Sequence, residues 1–198
     1  MTLAEKQDPT ATVTPRYWIS RTEVEERLCK RDRDGRVIWQ WARDWLMGWR
    51  DITNATNERT VIASVMPLVG VGNKIPLFMM DSGKAKPKYA AAFLGNLTAL
   101  VFDFVARQKI GGTTLNYFYM KQFPVLPPDR YTEADLAYIV PRVLELTYTA
   151  HDLAGWARDL GHSGPPFAFH PERRAQLRAE LDDAVARVMK TEGGMLWA

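Results

Sequence analysis

The sequence predicts an α+β fold: a mixed domain built on a small sheet, followed by a C-terminal helical segment. Three observations carry this. Residues 60–69, TVIASVMPLV, are rich in β-branched side chains and read as a strand. Residues 88–107 place Tyr89, Phe93, Leu97, Leu100 and Phe104 three to four positions apart, the spacing of one helix face. From Tyr131 onward the pattern turns wholly helical.

The elements follow in order. Residues 1–15 are polar and read as a disordered tail or the stub of a longer chain. Residues 16–20, RYWIS, are short and aromatic and predict a strand. Ser20 or Thr22 then caps a helix over 23–30, with Glu25 three positions after Thr22. A turn is expected at 32–35. Over 37–49, Ile38, Trp41, Trp45 and Trp49 recur every three or four residues, with Trp39 and Leu46 widening the stripe. This predicts an amphipathic helix or an aromatic-rich connection, its tryptophans either core or base-stacking surfaces. After the 60–69 strand, with Pro67 near its end, Gly70 and Gly72 mark a turn and 75–80 a second strand. Residues 81–87 form a lysine-bearing loop, and Gly111 and Gly112 end the 88–107 helix. Residues 114–125 are aromatic and strand-like, closed by Pro127 and Pro128. Thr132 with Asp135 resembles a capping box for a helical run to Leu160 that is interrupted at Pro141. The final helix, 172–190, gathers Leu177, Leu181, Val185 and Val188 on one side. The expected organisation is therefore 16–128 as the α+β part, 129–190 as helices packing on it, and 191–198 as a tail.

Charge and composition narrow the function. A chain of 198 residues suits about one domain. The single cysteine, Cys29, excludes an internal disulfide and fits a reducing compartment, so a cytoplasmic location is expected. The polar N-terminus lacks the apolar core of a signal peptide, and no membrane span is predicted. Residues 50–124 hold nine Lys or Arg against four Asp or Glu, a net +5, so the rest carries −2 of the total +3. A basic middle points to a polyanion, although Lys84, Lys86 and Lys88 can equally be a solvated loop.

Catalytic patterns are scarce. His151, His162 and His170 lack partners at metal-binding spacing, so no metal site is predicted. There is no GxSxG elbow, and VGVGNK lacks the spacing of a phosphate loop or dinucleotide fingerprint. What stands out is hydrogen-bonding capacity in three clusters: Asn54 to Thr60; Arg107, Gln108, Lys109, Gly112, Thr113 and Thr114; and Asn116, Lys121 and Gln122. Arg suits guanine, Asn and Gln suit adenine, and Thr suits a phosphate or a thymine methyl. The same residue types also serve turns and caps.

Three blocks carry a family resemblance: RDITNATNERTVIASVMPLVGVGNKIPL, AAFLGNLTALVFDFVARQKIGGTTLNYFYMKQFPVLPP and the run from IVPRVLELTYTAHDL to ELDDAVARV. Together they resemble the C-terminal region of large adenine-modifying DNA methyltransferases. These are the fused type IIG restriction–modification enzymes and the methylases of phage-defence systems such as DISARM and BREX. The resemblance covers roughly residues 16–190 and implies a target-recognition domain that reads bases in double-stranded DNA. An upstream domain would bind S-adenosylmethionine and flip the adenine. This chain lacks the glycine-rich S-adenosylmethionine motif and the Asn-Pro-Pro-aromatic motif. No catalytic residue and no cofactor is therefore assigned to it. S-adenosylmethionine is expected in a methyltransferase domain or subunit acting in cis or in trans. Under this reading Asn54, Asn57, Arg59, Arg107 and Gln108 face base edges, and Thr60, Lys74, Lys109, Thr113 and Lys121 face phosphates.

Two other readings stand beside this one. The helices beyond Tyr131 could instead dock onto a methylase, nuclease or helicase, with the central part as scaffold. The chain could also be a decayed gene fragment, since its end at MKTEGGMLWA falls short of where the larger proteins are expected to continue.

Overall fold

The structure, a computed structural model, describes residues 1–80 and 86–190. The expected loop at 81–87 lies mostly, and the tail at 191–198 wholly, outside the described residues. Secondary structure begins earlier than the sequence suggests. Helix α1 (Leu3–Gln7) is closed by a Thr2/Glu5 capping box, and the Pro9 carbonyl accepts the His151 amide at 3.0 Å. Residues 16–20 do not form the expected strand: Tyr17 and Trp18 are 78% and 82% exposed. Ser20, not Thr22, caps α2 (Arg21–Arg27) by accepting the Glu23 amide.

The tryptophan stripe is not a helix. It splits into β2 (Val37–Gln40), which pairs antiparallel with β1 (Cys29–Arg31), and β3 (Trp45–Trp49), which pairs antiparallel with β4 (Ala63–Pro67). The turn between β1 and β2 is held by the Asp32 carboxylate, which accepts the Asp34 and Arg36 amides, and by Gly35 at φ 80°. Strand β3 is buried at all five positions, so it shows no alternation, and its three-to-four spacing against β2 is accidental. Trp41, Trp45 and Trp49 are core side chains. Their indole N–H groups donate to the Trp45 carbonyl, the Asp159 carboxylate and the Leu115 carbonyl.

Residues 75–80 supply one bridge, Gly48 to Leu77, rather than a strand. Pro76 has no N–H to donate, and its carbonyl accepts the Trp49 amide at 3.1 Å. Gly48 is required here, because a Cβ would collide with the Pro76 carbonyl oxygen.

The predicted helix at 88–107 is two helices, α3 (Pro87–Thr98) and α4 (Leu100–Lys109), meeting at a 59° bend. Ala99 between them is extended. The Thr98 hydroxyl bonds back to the Leu94 carbonyl, and Asp182 from the last helix accepts the Leu100 amide at 2.7 Å. These groups replace the hydrogen bonds a continuous helix would have made. No single helix among the described residues is long and apolar enough to cross a membrane. The bent α3–α4 pair has the length and composition together, but its apolar side is mostly core.

The strand expected at 114–125 is instead a single bridge, Ile52 to Thr114, followed by the short helix α5 (Tyr117–Met120). Asn116 caps that helix by accepting the Tyr119 amide. Its buried residues Leu115, Met120 and Phe123 do not alternate, which explains why a strand does not form. Helix α6 (Glu133–Thr147) carries both halves of the Thr132/Asp135 capping box and runs through Pro141, whose ring lies on an exposed face. The short α7 (Ala154–Asp159) and the long α8 (Pro171–Lys190) complete the described residues. Leu177, Leu181, Val185 and Val188 are all buried, as their spacing predicts.

Two apolar cores result. The larger joins β3, β4, α3, α6, α7 and α8. The smaller lies around Trp49, Phe102, Leu115 and Phe123, beneath the polar clusters singled out in the sequence.

Candidate nucleic-acid interface

The first polar cluster, Asn54 to Thr60, is a stapled loop. Asn54 folds it into a turn, its side-chain oxygen accepting the Thr56 amide at 3.0 Å and the Thr56 hydroxyl at 2.7 Å. The Thr53 hydroxyl donates to the Thr60 carbonyl at 2.6 Å and accepts from the Asn57 amide group at 3.2 Å.

The loop is then tied to the second polar cluster. The Thr53 amide donates to the Thr113 carbonyl at 3.0 Å, and the Leu115 amide to the Asp51 carbonyl at 2.7 Å. Asp103, on α4, is only 2% exposed. One of its oxygens accepts the Thr60 and Val61 amides at 2.6 and 2.9 Å. The other accepts Arg107 at 2.8 Å. Arg107 spans onward to the Ala55 carbonyl at 2.8 Å and the Glu58 carbonyl at 3.0 Å. A buried carboxylate and a guanidinium one helical turn apart thus set the shape of the loop.

This geometry sorts the candidate residues. Asn54, Asn57, Thr60, Arg107 and Thr113 converge on one scaffold. Lys74 joins them through Asp51, which it meets at 3.2 Å. Gln108 and Lys109 follow on the exposed end of α4, and Thr113 is exposed beside them. Lys121 is exposed at the end of α5, apart from the loop's hydrogen-bond network.

Three assignments change. Thr60 is fully buried, so its hydroxyl does not reach a phosphate; its amide is held by Asp103. Arg107 has its guanidinium engaged by Asp103 and two loop carbonyls, which makes it a positioning residue rather than a base reader. Arg59 turns toward α8, 3.6 Å from Asp182.

Asp103 escaped sequence reasoning, although its position four residues before Arg107 is a signal for an ion pair. Phe104 and Phe118, 65% and 70% exposed, carry no sequence signal for this face: Phe104 shares the spacing of a helix stripe, and Phe118 falls in a run that reads as a strand. Both are available as stacking surfaces. Among the described residues, no group of His, Cys, Asp and Glu is arranged to hold a metal ion.

A second cluster lies where Arg59 points. Arg174 and Arg178 of α8 line a cleft with Arg59 and Asp182. Burial raises the Asp182 carboxyl above its ordinary range, against the opposing pull of the Leu100 amide and Arg59. Burial, and next to it the charge of Arg178, lowers Arg174.

Comparison with protein-family models, with curated proteins and with solved structures finds no match to this chain.

Proposed function

We propose that this chain is a DNA sequence-recognition module of a restriction–modification or phage-defence adenine methyltransferase, without catalytic activity of its own. It works with a methyltransferase domain or subunit, in cis or in trans, that supplies S-adenosylmethionine chemistry. The observation that carries the reading is the convergence of two polar segments on one preorganised support. Residues 54–60 and 107–114 lie far apart in sequence, yet Asp103 and Arg107 lock them together over a buried core. A rigid scaffold presenting Asn, Gln, Lys and Thr side chains is what base reading requires.

Within this reading Asn54, Asn57 and Gln108 address base edges, with Lys74, Lys109, Thr113 and Lys121 on phosphates. Arg107 holds the loop in shape. Fluorescence anisotropy with duplex libraries tests the assignment. Gln108→Ala is expected to relax selectivity at one base pair, by about 1–3 kcal/mol. Lys109→Gln is expected to weaken all duplexes alike and to lower the salt slope by about 1. The reverse pattern, or no duplex affinity at about 0.15 M salt, would exclude the proposal.

One observation favours a protein-docking reading instead, through the N-terminal side rather than through the helices beyond Tyr131. Tyr17, Trp18 and Ile19 form a contiguous exposed apolar run at the N-terminal side of α2. Co-purification with a methylase, nuclease or helicase that is lost in Trp18→Ser, without DNA affinity, would establish that alternative.

A further inference from the structure

We propose that the cleft between residues 57–64 and helices α3, α6 and α8 binds a small organic oxyanion, a molecule with a phosphate or carboxylate head and an apolar or planar body. The cleft encloses about 380 Å³, within the roughly 300–1,000 Å³ of small-molecule sites and far above the ~30 Å³ of one water.

Its walls divide by chemistry. Ile62, Leu94, Leu146 and Leu181 supply an apolar side, while Arg59, Arg174 and Arg178 supply the cations. The acids are fewer. Asp182 has one oxygen taken by the Leu100 amide, and its other oxygen lies 3.6 Å from Arg59. Glu58 also lines the cleft, on the exposed side of the loop.

Arg174 stacks its guanidinium over Phe169 at 4.3 Å and donates to the Leu146 carbonyl at 2.9 Å. Its Nε is buried without a hydrogen-bond partner among the described residues. Arg178 makes no hydrogen bond or close ion pair there either, and the charge of Asp182 acts on it from the same wall. Two neighbouring guanidiniums with open donors share a partly desolvated cleft, where burial first and the charge of Arg178 second lower Arg174. An oxyanion supplies the missing acceptors, and the planar fork of Arg suits either head group.

The site does not depend on the DNA reading and is tested without DNA. Calorimetry and thermal shift on the full chain, at about 0.15 M salt, use AMP, decanoate, inorganic phosphate and uncharged adenosine. The expected result is saturable binding of AMP or decanoate with a raised Tm, weaker binding of phosphate, and none of adenosine. Binding by AMP alone identifies a phosphate ligand, and binding by decanoate alone a carboxylate ligand.

Arg178→Gln is expected to weaken the bound probe about tenfold or more. Because this side chain is exposed, the variant keeps its fold. Arg33→Gln, in the distant β1–β2 turn, is expected to bind like the unaltered chain. Three results overturn the proposal. One is no saturable binding of any anion up to ~10 mM. The second is undiminished binding by Arg178→Gln. The third is a thermal shift that duplex DNA alone produces.

Discussion

Asp103 is the residue on which the proposed interface turns. It is a buried carboxylate that accepts two backbone amides and Arg107, so its charge is satisfied only in the folded loop. Asp103→Ala removes those acceptors, leaves two buried amides unpaired and strips the half-buried Arg107 guanidinium of its carboxylate, leaving it only the Ala55 and Glu58 carbonyls. It is expected to destabilise the chain by about 2–4 kcal/mol, read from urea unfolding. Asp103→Asn, which keeps the shape but can turn a donor toward Arg107, is expected to cost less. A loss under ~0.5 kcal/mol for Asp103→Ala would show that solvent already satisfies these groups. The pair was half legible in the sequence. Its i, i+4 spacing is plain, but Arg107 was read outward toward DNA. Which way an arginine turns depends on carbonyls that the fold brings from fifty residues upstream, and no local pattern records them.

At the scale of elements, helix caps and the last amphipathic stripe were legible because they depend on neighbours within four residues. The Thr132/Asp135 box and the buried face of α8 appear where the spacing places them. The tryptophan stripe misled because a strand buried on both faces has no period of its own. The α3–α4 break was hidden because its cap, Asp182, comes from eighty residues away. Two predictions belong here. Gly48→Ala sets a methyl group against the Pro76 backbone carbonyl, which cannot swing aside as a side chain would. It is expected to destabilise by about 1–3 kcal/mol, measured by thermal and urea unfolding. The second concerns the clasp between α6 and α8. The Arg173 guanidinium, bonded to Glu145 at 2.8 and 2.9 Å, holds that carboxyl below its ordinary value of 4.5. A depressed folded-state value means the contribution is complete above pH 4.5 and disappears as the pH falls through the lower folded value. Glu145→Gln should therefore reduce stability at pH 7 while flattening the loss of stability on acidification. An unchanged acid limb of the stability curve would show that the clasp contributes nothing.

For the whole molecule, the change in composition near residue 130 suggested two parts, and the sequence could say no more than that one packs on the other. The contacts join them more closely. Trp45 of β3 meets Trp156 of α7 edge-on, with ring centroids 4.6 Å apart, and its indole N–H donates to Asp159 at 2.8 Å. Arg43 pairs with the same carboxylate at 3.0 Å. Gly95 of α3 faces Ile139 and Val143 of α6 at a separation that leaves little room for a side chain. Asp182 of α8 caps α4 and meets Arg59 of the loop. Cutting the chain after Pro128 would therefore expose Trp45 and Leu94 together, and would uncap α4 beside the proposed DNA-reading loop. Helix content, followed by far-UV circular dichroism, and tryptophan environment, followed by fluorescence, should lose their folded signals at one common midpoint in urea. A fragment of residues 1–128 should bind a hydrophobic dye and lack cooperative unfolding. Separate midpoints, with that fragment folding alone, would mean that the helices are an appendage. The loop would then be shaped by Asp103 and Arg107 alone, and occupation of the arginine cleft would leave it unmoved.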